Sequence, residues 1–258
     1  ALPPYLKETG NRLSVEVHTR SSAAWIEDQD FFRFSGIFRS VYLYAKPALH
    51  LEDLWLQTVL AEDNRSGSLT VRLRLEGDAE GASVHCKIAH PEHGVLFDGG
   101  LTLRQDGAYQ FSQTLRFSHV LPWCYGSPEL YQVTLRLCTA DGMITEVVPY
   151  QTGFRRFELR GGIMRLNGER LMLNGVNRHE WNPERGRAIG TADMEAAMAV
   201  FRRSHINAVR TCHYPNQSAW YGMCDQNGIY MMDETNLESH GSWQKLGEID
   251  PSWNVPGS

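Results

Sequence analysis

The stretch INAVRTCHYPNQSAWYGMCDQNGIYMMDETN, residues 206–236, decides the fold. It opens on an apolar run, INAVRTCHY, that reads as a strand. NQSAWYGMCDQNG follows as a helix, with Asn216 as its expected N-cap and Gly228 as its stop, and IYMMDETN returns to a strand. Two apolar strands joined through a helix imply a parallel pair inside an α/β layer. The preceding residues repeat the unit. RLMLNGVNRH (170–179) reads as a buried strand, and TADMEAAMAVFRRSH (191–205) as an amphipathic helix with Met194, Ala197, Met198 and Phe201 on one face.

Each of the three strands ends in chemically capable side chains. The first ends in Asn177, Arg178, His179 and Glu180, and the second in Arg210 and His213. The third ends in Asp233, Glu234, Asn236, Glu238 and His240. Parallel sheets bind ligands outside the carboxyl ends of their strands, and in a (β/α)8 barrel all those ends share one mouth. The carboxylate cluster after IYMM is therefore expected at an active-site face.

Toward the N-terminus the period changes from helical to two. Alternation shows in NRLSVEVHTR, SVYLYAK, SLTVRLRLEG, YQFSQTLRF and YQVTLRLCTADG, separated by the turn formers EDNRSG, RQDG and TADG. This is the pattern of antiparallel sandwiches. The alternation breaks near Lys46–Pro47 and again after Gly153, where FELRGGIMRLNGERLMLNG reads as a hairpin stack turning at Gly161-Gly162 and Asn167-Gly168. The expected organisation is two β modules over residues 1–46 and 47–152, then a βα region over 153–258, with the first module incomplete on its N-terminal side.

The composition narrows the functional classes. A net charge of −5, with Lys and Arg scattered, gives no footprint for nucleic acid. No apolar run approaches the roughly 18 residues that span a bilayer, and ALPPYLKETG does not read as a signal peptide. The five cysteines lack CxxC spacing and read as reduced thiols, which points to the cytoplasm. Signatures of nucleotide-binding loops and of serine or cysteine nucleophiles are absent from the sequence.

Several residues carry two readings. Glu238 and His240, two apart, point the same way in extended backbone and suit Mg²⁺ or Mn²⁺; on spacing alone they read more readily as a pair of solvated loop residues. His179 and His213 with Arg210 form a donor set for sugar hydroxyls, or are structural histidines beside an arginine that pairs with Glu234 or Asp233. Asp30 lies among Trp25, Phe31, Phe32 and Phe34, aromatics that read as core more readily than as a sugar platform. Trp123 reads as sandwich packing.

FSGIFRSVYL (34–43), NGVNRHE (174–180), NAVRTCHYPNQSAWYGMCDQNGIYMMDE (207–234) and TNLESHG (235–241) resemble the second glycoside hydrolase family, specifically its bacterial β-galactosidase branch. EDQD before FSGIFR and LPW…SPELY resemble it too, so the likeness spans nearly the whole chain. It implies the end of a jelly-roll sugar-binding domain, an immunoglobulin-like sandwich, and the first part of a (β/α)8 TIM barrel. By the same resemblance Asp30 binds galactose hydroxyls, and His179 and His213 stabilise the transition state. Arg210 supports that wall, and Glu238 and His240 hold the active-site magnesium. Homo-oligomers are implied for the full-length parent.

One departure matters. Retaining glycosidases need two carboxylates about 5–5.5 Å apart, and in this family both lie on later barrel strands, beyond ESHG. The chain is therefore expected to be an internal piece of a retaining β-galactosidase that carries part of the sugar pocket without the acid/base or nucleophile. The alternatives are a non-catalytic sugar-binding module, one half of a split enzyme, and a glycosidase acting on glucuronides.

Overall fold

The computed structural model describes residues 3–19, 22, 27, 36–102, 104–106 and 109–238. Its centre is a sandwich of two antiparallel sheets. Strands β1 (His50–Leu60), β2 (Gly67–Glu76), β3 (Ser83–His90), β4 (Gly94–Gly100), β5 (Arg104–Asp106) and β6 (Tyr109–Phe117) come first. The ribbon of β7 (Trp123–Cys124) and β8 (Ser127–Pro128) follows, then β9 (Tyr131–Cys138) and β10 (Ile144–Thr152). One sheet has the order β1-β2-β6-β5 and the other β10-β9-β3-β4.

Period-two alternation explains why these strands stack. In β2 Leu69, Val71, Leu73 and Leu75 are buried, and in β9 Tyr131, Val133, Leu135 and Leu137 are, so the two inner faces share one core with Val84, Cys86 and Ile88 of β3. Each such side chain contributes about 1.5–3 kcal/mol by leaving water. Burial also pushes the Cys86 thiol up to about 12, so it behaves as a small hydrophobe. All five cysteines are free.

Residues 153–174 form the expected hairpin stack, β11 (Phe157–Arg160), β12 (Ile163–Leu166) and β13 (Glu169–Arg170). Both turns need positive φ at two successive positions: Gly161 and Gly162 at 60° and 75°, Asn167 and Gly168 at 53° and 88°. Those dihedrals match the twist of the flanking strands and suit glycine and asparagine.

The βα region follows as β14 (Gly175–Arg178), α1 (Thr191–Arg203), β15 (Ala208–Thr211), α2 (Ser218–Asn227) and β16 (Tyr230–Met232), with β14-β15-β16 a parallel sheet in that order. Met194, Met198 and Phe201 of α1 pack with Trp220 and Cys224 of α2 and with Val209 and Ile229. No helix among the described residues is long and apolar enough to cross a membrane.

Three expectations are corrected. NRLSVEVHTR and SVYLYAK form no strand among the described residues, and Leu13, Val15, Val17, Val41 and Leu43 are exposed. Alternation specifies which face is apolar, but a strand exists only where a neighbour takes its backbone hydrogen bonds. RLMLNGVNRH is not one buried strand: Arg170 closes β13, β14 spans four residues at the sheet's edge among the described residues, and Met172 and Leu173 between them are exposed. Asn216 does not cap α2; Gln217 holds that position. The Asn216 side chain is buried, accepting from Arg178 Nη1 and donating to the Tyr214 carbonyl, so it is not free to cap.

The sandwich and the βα layer meet at Trp123 and α2. Trp123 is buried, donates from Nε1 to the Asp225 carbonyl at 2.8 Å and meets the Tyr230 ring edge-on at 5.8 Å. Gly228 ends α2 at φ 70°, and a Cβ there would stand 3.0 Å from the Cys124 carbonyl oxygen and the Tyr125 Cα. Gly228→Ala is therefore expected to cost about 1–3 kcal/mol, from left-handed strain and the contact with backbone. A lowered unfolding midpoint of the βα layer checks it, and an unchanged midpoint would contradict the close approach.

Candidate active site

The register of the parallel sheet brings the three strand ends together. Arg178 pairs with Thr211, and Arg210 with Met232, so the segments after β14, β15 and β16 leave from one edge. His179 and His213 meet there, their rings 5.7 Å apart and nearly perpendicular, with the Tyr214 ring 5.9 Å from His179.

Glu234 joins two strand ends. Its Oε2 accepts from His213 Nδ1 at 2.7 Å, and its Oε1 accepts from Arg210 Nε at 2.8 Å and from Arg210 Nη2. Its backbone N–H donates to Thr211 Oγ1 at 3.0 Å. Burial pushes the carboxyl up, but hydrogen bonds from His213 and Arg210, together with the guanidinium charge, hold it below the ordinary carboxylate range. The same hydrogen bond raises Arg210. Asp233 is engaged separately, by Thr211 Oγ1 at 2.9 Å and Tyr221 Oη at 2.8 Å. Burial, followed by the Asp233 carboxylate, pushes that phenol up to about 12.

Behind this wall lies a buried carboxylate that no sequence pattern had singled out for a role. Glu180 is only 3% exposed at its side chain. It accepts from Arg39 Nη2 at 2.9 Å and from the Gln217 N–H at 2.7 Å, while its own N–H donates to Tyr214 Oη at 2.9 Å. Arg39 also reaches the Pro215 carbonyl at 2.8 Å, and Arg187 lies 4.1 Å over the Phe38 ring. Phe38 and Arg39 are thus anchored beside the strand ends. Arg39 stands in a quoted motif and Glu180 at a polar strand end, but 141 residues separate them and nothing in their spacing pairs them.

His179, His213 and Arg210 therefore converge as expected on one edge. Glu238 is half-buried, and its backbone forms a parallel bridge with Glu27. That bridge sets Glu27 beside Glu238. Asp30 and His240 lie outside the described residues, as do Trp25, Phe31, Phe32 and Phe34, so the sugar contact of Asp30 and the metal pair rest on sequence. Among the described residues a different trio, His50, Glu52 and Glu76, has the donor atoms for a metal ion, but Lys46 already pairs with Glu52 there. It stands at the start of β1, in the sandwich.

Three family descriptions match in chain order. "Glycosyl hydrolases family 2, sugar binding domain" covers residues 1–47, "Glycosyl hydrolases family 2" covers 49–155, and "Glycosyl hydrolases family 2, TIM barrel domain" covers 157–258. Among curated proteins, the β-galactosidase large subunit of Latilactobacillus sakei is 50% identical over 258 residues, spanning all of this chain and 40% of that protein. The β-galactosidase of Clostridium acetobutylicum is 47% identical over 98% of this chain and 28% of its own length. The chain thus spans at most about two fifths of these relatives. Among solved structures, Bacteroides uniformis β-glucuronidase 3 aligns with a TM-score of 0.71 at 25% identity, over 82% of this chain and 26% of that one. A Parabacteroides merdae β-glucuronidase aligns at 0.70 and 25%, over 82% and 27%.

Proposed function

Because the chain belongs to glycosyl hydrolases family 2, we propose that it forms part of a retaining β-galactosidase that hydrolyses terminal β-D-galactosides such as lactose. The observation that carries the reading is the convergence of His179, His213 and Arg210 on one edge of the parallel sheet. The likeness to β-galactosidases at 44–50% identity supports this sugar over a glucuronide. The β-glucuronidase structures, at 25%, share the fold.

In this reading the two imidazoles present N–H donors to substrate oxygens as negative charge builds on them, and the edge-to-face packing of the rings limits their freedom to turn away. Arg210 adds a fixed positive charge, neutralised in part by Glu234. Asp30, three residues after the Glu27 bridge, binds galactose hydroxyls. Glu238 and His240 are the proposed ligands of Mg²⁺, with Mn²⁺ as the alternative: a carboxylate and an imidazole suit such an ion if further oxygens complete the shell, and Glu238 lies within the field of Arg210. When bound, the ion supplies a Lewis-acidic positive charge beside the sugar.

The acid/base and the nucleophile come from barrel strands beyond those described, and we place the enzyme in the cytoplasm, as free thiols favour. Relatives named as large subunits support assembly with further chains, and we extend this to a homo-oligomeric parent as well.

Joining this chain to the part of the Latilactobacillus sakei large subunit that follows the matched region tests the reading. The chimera is expected to hydrolyse a nitrophenyl β-galactoside faster than the β-glucuronide by a factor on the order of 10⁴, the scale on which a site rejects a substrate that leaves the site's own buried polar groups unpaired. A reversed preference would transfer the assignment to glucuronides. A folded, sugar-binding but inert chimera would favour a non-catalytic module.

A further inference from the structure

We propose that Glu234 is the positioning residue of this wall: one carboxylate sets the tautomer of His213 and, through its second oxygen, ties that ring to Arg210. The inference rests on the reading of His213 as a transition-state-stabilising group. It adds a residue whose role neither strand position nor spacing assigns.

A carboxylate held below its ordinary range is ionised and only accepts. Oε2 stands 2.7 Å from His213 Nδ1, so Nδ1 must carry the hydrogen. In the neutral ring that leaves Nε2 as the acceptor; in the imidazolium both nitrogens donate. Arginine has no acceptor, so Oε1 is committed to the guanidinium. One oxygen thus faces His213 and the other Arg210, and a carboxylate can serve both because each of its equivalent oxygens accepts. The backbone N–H of Glu234, donating to Thr211 Oγ1 at 3.0 Å, locks the carboxylate's stem to β15, the strand that carries Arg210 and leads into His213. Both residues are therefore referenced to one carboxylate on the neighbouring strand end.

This arrangement makes a sharp prediction for Glu234→Gln, which keeps size and shape. The amide must turn its oxygen to Arg210, because a guanidinium only donates. Its NH₂ then faces His213 Nδ1, which has to become an acceptor, so the neutral ring is forced into the Nε2–H tautomer. A merely structural loss of charge would not invert a tautomer.

The experiment is long-range ¹H–¹⁵N spectroscopy of the whole 258-residue chain at alkaline pH, with the His213 signals assigned by their loss in His213→Ala. In the unsubstituted chain Nδ1 is expected to be pyrrole-type and Nε2 pyridine-type, and in Glu234→Gln the two exchange character. Arg210→Met retains the carboxylate and is expected to keep the original tautomer. A pyridine-type Nδ1 in the unsubstituted chain, an unchanged pattern in Glu234→Gln, or an inversion in Arg210→Met would each overturn the proposal. If Glu234→Gln does not fold, the other two spectra still decide it. No glycoside enters these measurements, so an inert chimera with this pattern intact would fail the functional reading alone.

Discussion

The 258-residue chain is expected to release no nitrophenol from a chromogenic β-galactoside above the uncatalysed rate, with or without Mg²⁺. Retention requires one carboxyl group as acid/base and a second as nucleophile, about 5–5.5 Å apart. The two carboxylates that leave β16 at the site are already engaged. Asp233 accepts from Thr211 and Tyr221, and Glu234 accepts from His213 and Arg210. A general acid needs its proton near neutral pH, usually through a raised pKa, whereas Glu234 is held below the ordinary range and stays ionised. Glycosidase rate enhancements are on the order of 10⁶-fold or more, so even slow turnover would show. Initial rates of chromophore release, compared with an intact family member at equal concentration, check this. Turnover within about tenfold of that enzyme would mean that catalytic carboxylates are present among these residues after all.

The largest expected effect on stability belongs to Trp220→Ala. Trp220 is fully buried between the two helices and meets the Phe201 ring edge-on at 5.8 Å. The Arg178 guanidinium lies 3.8 Å over its face. Truncating a buried tryptophan costs about 3–5 kcal/mol, because the transfer energy and the contacts around the cavity are lost together. Arg178 itself is pushed down by burial, and without the ring it keeps Asn216 as a hydrogen-bond partner but loses its stacking surface. Hydrogen exchange resolved by residue is the appropriate readout. The amides of β14, β15 and α1 are expected to lose protection together, while those of β2 and β9 keep theirs, since their core is separate. A uniform change across both regions would show that the two cores are not independent, and a loss under about 1 kcal/mol in the βα layer would contradict the burial of Trp220.

These outcomes separate what was legible in the sequence from what was not. Alternation located β2, β6 and β9, because a residue pair two apart shares a face whatever lies opposite. The same pattern misled over residues 11–18 and 40–46, where the described residues offer no partner strand. Gly228 was readable as a helix stop because its conformation is local. Asn216 was misread as a cap because its side chain is claimed by Arg178, a residue 38 positions away. The site follows the same division. His179, His213 and Arg210 announced themselves as polar groups at strand ends, whereas Glu234 was readable only as one of two acids that Arg210 could meet.

The sequence by itself determined the kind of layer and the direction of its strands, since periodicity, helix stops and the order of βα units are local properties of the chain. It also determined that three polar strand ends would leave from one side, since parallel strands share their direction. Only the tertiary structure decided which carboxylate holds which base. Glu234 takes His213 and Arg210, and Glu180 takes Arg39 from a distant segment. Those choices depend on distances between residues that the chain brings together only on folding, and a hydrogen bond discriminates over tenths of an ångström.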